Sequence, residues 1–188
     1  MFKITVMTSG GGGNLAAILQ NENHFQKYQV IKVISNRDCA ALKIADSYSI
    51  NSEIIEASES NSYFRAIPDS TDLIVLAGFM PIIPKDVCVL YKGKIINTHP
   101  SLLPKYGGKG MYGVHIHEAV LEAKESVTGC TIHVVTEEID QGPIIEQAFL
   151  TIPPDIDAWT LGSLVFELEK NLLPKVILQM AQQSSFFT

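Results

Sequence analysis

Near its amino terminus the chain carries Phe2-Lys3-Ile4-Thr5-Val6-Met7-Thr8-Ser9-Gly10-Gly11-Gly12-Gly13-Asn14, a short β-rich run that ends in four consecutive glycines. A run of this length before glycine is typical of a buried strand, and Asn14–Gln20 has the composition of a helix. A strand, a glycine turn and a helix in this order are typical of an open α/β sheet. The free N–H groups of such a turn, with the helix dipole, predict a phosphate-binding site. The alternative is a purely structural glycine turn with Asn14 as the N-cap of the helix.

The same alternation continues along the rest of the chain. We predict strands at Phe2–Met7, Val30–Ser35, Leu73–Ala77, Lys94–Asn97, Val127–Val135 and Ile144–Ile152, and helices at Asn14–Gln20, Ala40–Tyr48, Asn61–Ile67, Pro84–Leu90, His115–Ala123 and Ala158–Gln182. This order predicts a single α/β domain over residues 1–188, with an open, mostly parallel, Rossmann-like sheet covered by helices on both faces. The last two strands flank a short loop, so we expect them to form an antiparallel C-terminal extension.

The composition argues against several classes of protein. The 188 residues include 14 Lys and Arg against 20 Asp and Glu, for a formal net charge of −6. An acidic chain without a basic run predicts no nucleic-acid partner. No segment approaches the roughly 20 apolar residues of a membrane span. Its three cysteines are far apart, which favours a reducing compartment. We therefore expect a cytoplasmic protein that binds small molecules and no membrane.

A second motif begins where the strand Lys94–Asn97 ends. It reads Asn97-Thr98-His99-Pro100-Ser101-Leu102-Leu103-Pro104, and open α/β sheets bind their ligands at this end of a strand. Asn97 and His99 are two residues apart, so they project to the same side if the strand continues. An amide and an imidazole aimed at one point can stabilise an oxyanion and supply a proton. The alternative interpretation is a polar strand end followed by a proline turn.

An acidic segment, Thr136-Glu137-Glu138-Ile139-Asp140-Gln141-Gly142-Pro143, separates the last two strands. Asp140 precedes a Gly-Pro pair that breaks regular structure. A carboxylate held against His99 would favour the protonated imidazole, which can donate a proton to a substrate. Because the sequence does not show this contact, a solvated acidic turn is the alternative.

The other histidines do not form a metal-binding pattern. His115 and His117 are two residues apart, so they do not share a helical face, and no cysteine lies beside them. We therefore expect no metal site. His133 alternates with apolar residues in a predicted strand and shares a face with Thr131 and Val135, so it can point into a site.

The glycine loop leaves one dinucleotide-binding alternative. If Gly10 and Gly12 are the first two glycines of a dinucleotide fingerprint, Leu15 occupies the third position, and no acid follows the second strand to bind a ribose hydroxyl. Arg37 stands near that point and could bind a 2′-phosphate. An NADP-dependent reductase therefore remains an alternative, whereas a P-loop is excluded because no Gly-Lys-Ser/Thr follows.

Taken together, these motifs resemble the folate-dependent formyltransferases. The segments that carry the resemblance cover nearly the whole chain and are Ser9–Leu15, Leu76–Met80, Ile96–Tyr106, Gly110–Gly113 and Asp140–Pro143. The glycine loop and the short length are most similar to the branch that acts in purine synthesis. The branch acting on methionyl-tRNA would carry a further C-terminal domain, and the formyltetrahydrofolate deformylases an N-terminal one; we expect neither here.

The resemblance implies that 10-formyltetrahydrofolate donates a formyl group to the amine of glycinamide ribonucleotide, with no metal and no covalent enzyme intermediate. It implies that the catalytic residues are Asn97, His99 and Asp140. The implied ribonucleotide-binding residues, mainly in the N-terminal half, are Gly11, Gly12, Gly13, Asn14 and Glu169. The implied folate-binding residues are Met80, Pro81, Ile82, Ile83, Asn97, Thr136, Glu137, Glu138, Ile139 and Asp140. The resemblance also allows a homodimer.

Three features depart from the family pattern. Gly13 stands where the family usually has serine, which removes one hydroxyl contact to phosphate, and Pro81 stands where an arginine is common. The stretch Glu59–Asp72 is shorter than in the family, and Arg65 does not align with the folate-contacting arginine found there. We expect these changes to affect donor affinity more than the chemistry. Another folate-dependent formyltransferase or deformylase, or a non-catalytic folate- or nucleotide-binding domain, is the alternative.

Overall fold

The computed structural model describes residues 1–55, 62 and 65–184, and within them seven strands form one sheet. The strands are β1 (Phe2–Thr8), β2 (Tyr28–Ser35), β3 (Ser52–Ile54), β4 (Leu73–Leu76), β5 (Ile95–His99), β6 (Val127–Val134) and β7 (Ile144–Thr151). Their spatial order is β3-β2-β1-β4-β5-β6-β7. Strands β1 to β5 are parallel, and β6 and β7 are antiparallel to their neighbours. The mostly parallel sheet with an antiparallel extension is therefore confirmed.

Helices cover both faces of this sheet. They are α1 (Gly13–Phe25), α2 (Ala40–Ser47), α3 (Lys85–Leu90), α4 (Val114–Glu122) and α5 (Ala158–Ser184). Successive side chains of a strand point to opposite faces, so Val6 packs into the core cluster under α1 and α5, whereas Met7 packs into the cluster under α3. All four residues of β4 are buried, as expected for a central strand covered on both sides.

The element boundaries differ from the predicted ones in several places. Strand β3 was not predicted, because its three residues are exposed and carry no apolar pattern. Strand β5 extends to His99, since Thr98 and His99 pair with β6. Of the predicted helix Asn61–Ile67, residues 61, 63 and 64 lie outside the described residues, whereas Ser62, Arg65 and Ala66 are helical. Among the described residues, no helix has the length and apolar content needed to cross a bilayer.

The parallel strands bring three segments together at their carboxyl ends. Strand β1 leads into the glycine loop, β4 into residues 77–84, and β5 into the long loop 100–113. Open α/β sheets bind their ligands outside these ends. The antiparallel strand β6 lies directly beside β5 and pairs His133 with Asn97 and Thr131 with His99.

Candidate active site

Asn97 and His99 lie on the same face of β5, next to β6. His133 is the cross-strand partner of Asn97, and the Asn97 amide Nδ2 lies 3.2 Å from His133 Nε2. His99 is only 5% exposed. Its Nε2 donates a hydrogen bond to the backbone carbonyl of Tyr106 at 2.8 Å, so this nitrogen orients the ring. The other ring nitrogen, Nδ1, faces Asp140.

Asp140 lies between the two histidines. Its Oδ2 is 3.6 Å from His99 Nδ1, and its Oδ1 is 3.6 Å from His133 Nε2. The backbone N–H of Gly108 donates to the same Oδ2 at 2.9 Å. Asp140 has a positive φ of 56°, an uncommon conformation for a residue with a side chain, and its side chain is 11% exposed. The carboxylate is therefore held against His99, and the alternative of a solvated acidic turn does not describe this structure.

The backbone reaches Asp140 by an indirect route. Because β6 runs antiparallel to β5, Val135 lies beside Ile95, at the amino end of β5. The segment Thr136–Asp140 therefore leaves the sheet at the end opposite to His99 and folds back to bring Asp140 to it. A hydrogen bond from the backbone N–H of Val134 to the carbonyl of Pro143, at 2.9 Å, closes the base of this loop.

The loop after β5 is anchored to β6 through Thr131. The Thr131 hydroxyl donates to the carbonyl of Ser101 at 2.6 Å and accepts from the backbone N–H of Leu103 at 3.0 Å. Gln147 on β7 donates to the same hydroxyl at 2.9 Å. These buried bonds fix the start of the loop, which also supplies the Tyr106 carbonyl to His99. Thr131 was predicted to share a strand face with His133, with no role of its own.

The glycine loop leads into α1 as predicted, but Asn14 does not cap the helix. Gly12, with φ 78°, is the N-cap residue and Gly13 begins the helix. A Cβ at Gly12 would meet the Cα of Ala41 at 2.8 Å. A Cβ at Gly13 would lie 2.7 Å from the ring of Phe166 on α5, so the ring would have to turn aside to admit a serine there. N–H groups in the first turn of a helix have no partner within the helix, so they are available to an anion.

Asn14 turns its side chain to α5 instead. Its Nδ2 donates to Glu169 Oε2 at 3.1 Å, and Glu169 is only 6% exposed. Burial raises the pKa of Glu169 from 4.5 to about 7, although the neighbouring Asn14 and Thr98 side chains oppose this shift. Thr98 points away from Asn97 and His99 along β5. The predicted ribonucleotide residues and the predicted catalytic residues therefore form two clusters that meet at β5.

The predicted folate-binding residues form two segments that the structure joins. After β4, Met80 and Ile82 are 50% and 68% exposed, whereas Ile83 is buried. Cys88 Sγ donates to the carbonyl of Thr136 at 3.5 Å and lies 3.9 Å from that of Ile83, so it bridges both segments. The exposed residues of the second segment are Thr136, Glu137, Glu138 and Ile139. Pro81 lies between the exposed side chains of the first.

Met80 is also tied to the glycine loop, through Ser9. The backbone N–H of Met80 donates to the Ser9 hydroxyl at 2.9 Å. Arg37, considered above for an NADP phosphate, donates from Nε to the Ser9 carbonyl at 2.7 Å. Its guanidinium is therefore attached to the backbone of the loop.

The remaining histidines lie apart from any metal-binding arrangement. His115 is exposed and pairs with Glu118 at 3.0 Å. His117 is buried against Gly162, and burial lowers its pKa, with His99 acting in the same direction. Residues 1–55, 62 and 65–184 contain no group of three or more His, Cys, Asp or Glu side chains that could hold a metal ion.

The chain is similar to known proteins over most of its length. A family model described as formyl transferase matches residues 2–177. The chain is 31% identical to the chloroplastic phosphoribosylglycinamide formyltransferase of Arabidopsis thaliana over 93% of its own length and 64% of that protein. It is 32% identical to the phosphoribosylglycinamide formyltransferase of Haemophilus influenzae, over 94% of its own length and 86% of that protein. The chain thus spans less than two thirds of the plant relative and most of the bacterial one.

A solved structure extends the similarity to three dimensions. The phosphoribosylglycinamide formyltransferase of Coxiella burnetii, in complex with CHES, is 37% identical, with a TM-score of 0.89. The alignment covers 97% of this chain and 88% of that one. The fold is therefore shared over almost the whole length of this chain.

Proposed function

Because this chain belongs to the formyl transferase family, we propose that it transfers a formyl group from 10-formyltetrahydrofolate to the amine of glycinamide ribonucleotide. The products are formylglycinamide ribonucleotide and tetrahydrofolate, and the reaction belongs to purine biosynthesis. One observation carries the proposal: Asn97, His99 and Asp140 converge at the carboxyl edge of the sheet, although Asp140 comes from a loop more than 40 residues further along the chain. The relatives named above support the choice of substrates.

The transfer exchanges one carbon–nitrogen bond for another. The amine nitrogen of the ribonucleotide attacks the formyl carbon and forms the new bond, and the carbonyl oxygen becomes an oxyanion. The bond from that carbon to the folate nitrogen then breaks. One proton leaves the attacking amine and one arrives at the departing folate nitrogen. The protein therefore has to stabilise the oxyanion and move a proton.

In this proposal Asn97 and His99 stabilise the oxyanion. The Asn97 amide and His99 Nδ1 are donors on one face of β5, and preorganised donors of this kind lower the barrier because they require no reorientation during the reaction. The bond from His99 Nε2 to Tyr106, at 2.8 Å, holds the ring while Nδ1 acts. Asp140, 3.6 Å from Nδ1, supplies a negative charge beside the ring and helps a proton move from the attacking amine to the departing folate nitrogen.

In this proposal the two substrates approach the catalytic residues from different segments. The phosphate binds to the N–H groups of Gly11, Gly12, Gly13 and Asn14, and Glu169 binds another polar group of the ribonucleotide. The exposed side chains of Met80 and Ile82 offer an apolar surface to the folate ring, and the loop Thr136–Asp140 offers polar groups. The chain acts as a single domain in the cytoplasm, without a metal.

The test is a turnover assay with purified protein, 10-formyltetrahydrofolate and glycinamide ribonucleotide, which follows the appearance of tetrahydrofolate. We expect turnover only when both substrates are present. Formate release without ribonucleotide would indicate a deformylase, and saturable binding of both ligands without turnover would indicate a binding domain. Asp140→Asn tests the site, and Asp155→Asn is its matched control, because Asp155 is an exposed aspartate with a similar φ of 55°.

A further inference from the structure

We propose that His133 is a positioning residue that acts as a neutral hydrogen-bond acceptor and fixes the orientation of the Asn97 amide. The inference rests on the proposed function, because it assigns Asn97 an oxyanion-binding role. It concerns a side chain that neither the resemblance nor the mechanism above uses. Its basis is the hydrogen-bond pattern around the imidazole ring.

The hydrogen-bond partners of His133 define which ring nitrogen carries the hydrogen. Its Nδ1 lies 3.0 Å from the backbone carbonyl of Val134. A carbonyl oxygen can only accept a hydrogen bond, so Nδ1 carries a hydrogen. In a neutral imidazole the other nitrogen, Nε2, then has a free lone pair and can only accept. Nε2 is the atom that lies 3.2 Å from the Asn97 amide.

The surroundings of the His133 ring favour its neutral form. His133 is buried, at 2% exposure. Burial lowers its pKa and His99 acts in the same direction, whereas the Val134 carbonyl and Asp140 oppose this shift. The neutral form is therefore favoured at physiological pH. Asp140 Oδ1 lies 3.6 Å from Nε2, farther than the Asn97 amide nitrogen at 3.2 Å.

A neutral His133 fixes the orientation of the Asn97 amide. An acceptor at Nε2 requires the amide nitrogen, not the amide oxygen, on this side of Asn97. One N–H hydrogen then bonds to His133, and the second is left to donate to a reacting oxygen. Without the acceptor the amide is free to turn over and present its own oxygen, which would repel the oxyanion. His133 thus determines which end of the amide faces the substrate.

Two substitutions separate this role from a titrating one. In His133→Gln the amide oxygen reaches approximately the position of Nε2 and still accepts from Asn97. In His133→Asn the shorter amide corresponds to Nδ1, so it retains the Val134 bond and loses Asn97. We expect kcat within about five-fold of wild type for the Gln variant and a fall of about ten- to a hundred-fold for the Asn variant, with KM for both substrates little changed. Matched substitutions at the exposed His24 should have no effect.

A double-mutant comparison tests the route of the effect. If His133 acts through Asn97, His133→Asn should lower kcat little further in an Asn97→Ala background. Equal losses in the Gln and Asn variants would show that a titrating imidazole is required, and full activity in both would show that the contact is unimportant. Either result overturns the proposal, as does an undiminished loss in the Asn97→Ala background.

A readout without turnover distinguishes failure of this inference from failure of the proposed function. The Asn97 side-chain amide hydrogens, followed by NMR, should exchange slowly in wild type and in His133→Gln and faster in His133→Asn. If wild type lacks formyl transfer but shows this pattern, the proposed function fails and the positioning role stands. If exchange is equally fast in all three proteins, the positioning role fails whatever the activity.

Discussion

Wild type should become less stable as pH rises, because it carries the buried Glu169. The Glu169→Gln variant should not show this loss. Burial raises the pKa of Glu169 from its ordinary 4.5 to about 7. Between these two values the folded state binds more protons than the unfolded state, so stability falls with increasing pH. The loss is complete above the folded pKa. A rise of this size corresponds to about 3 kcal/mol, because one pKa unit corresponds to about 1.4 kcal/mol.

Urea unfolding at about pH 5 and about pH 8 measures the effect. At the lower pH the protonated carboxyl resembles the amide, so wild type and Glu169→Gln should have similar free energies of unfolding. At the higher pH the variant should be more stable by about 3 kcal/mol, as derived from the pKa shift above. The amide oxygen introduced by the substitution can still accept a hydrogen bond from Asn14 Nδ2, as Glu169 Oε2 does at 3.1 Å in wild type.

Glu167→Gln is the matched control for this experiment. Glu167 lies on the same helix, its side chain is 63% exposed, and it pairs with Lys170. Exposed ion pairs contribute little, so this variant should follow wild type at both pH values. If the difference between wild type and Glu169→Gln stays constant from about pH 5 to about pH 8, ionisation of the buried carboxyl has no cost and the burial argument is refuted.

Three further predictions concern the site. Asp140→Asn should lower kcat by about two orders of magnitude with little change in ribonucleotide KM, since it removes the charge beside His99; a near wild-type kcat at all pH values would count against the mechanism. Gly13→Ser should change the melting temperature little in calorimetry, because the Phe166 ring atoms that its Cβ would meet at 2.7 Å are the far end of a side chain that is 39% exposed and can turn aside; a large drop would show that the ring is fixed. Titration with NADPH should show no saturable binding at micromolar concentration, because Leu15 stands at the third fingerprint position and no acid follows β2; tight NADPH binding without folate binding would favour the reductase.

The local pattern of the sequence was sufficient for most of the fold. Apolar runs of strand length alternate with helical periodicity, and this predicted the parallel sheet, its helical covering and the antiparallel extension. Strand β3 was not predicted, because its residues are exposed and its strand conformation depends on pairing with β2. The extension of β5 to His99 also depends on a partner, since β6 supplies its hydrogen bonds.

For the candidate site, too, one part was predictable from the local sequence and another part was not. Position along the chain alone predicted that the glycine loop, Asn97 and His99 lie at ligand-binding ends of strands, because strand order and periodicity are local properties. The contact of Asp140 with His99, the place of His133 between Asp140 and Asn97, and the Phe166 ring against Gly13 were decided by tertiary structure. Each joins residues far apart in the sequence, through strand register, loop return or helix packing. No spacing along the chain encodes those distances, so only the folded arrangement brings these groups together.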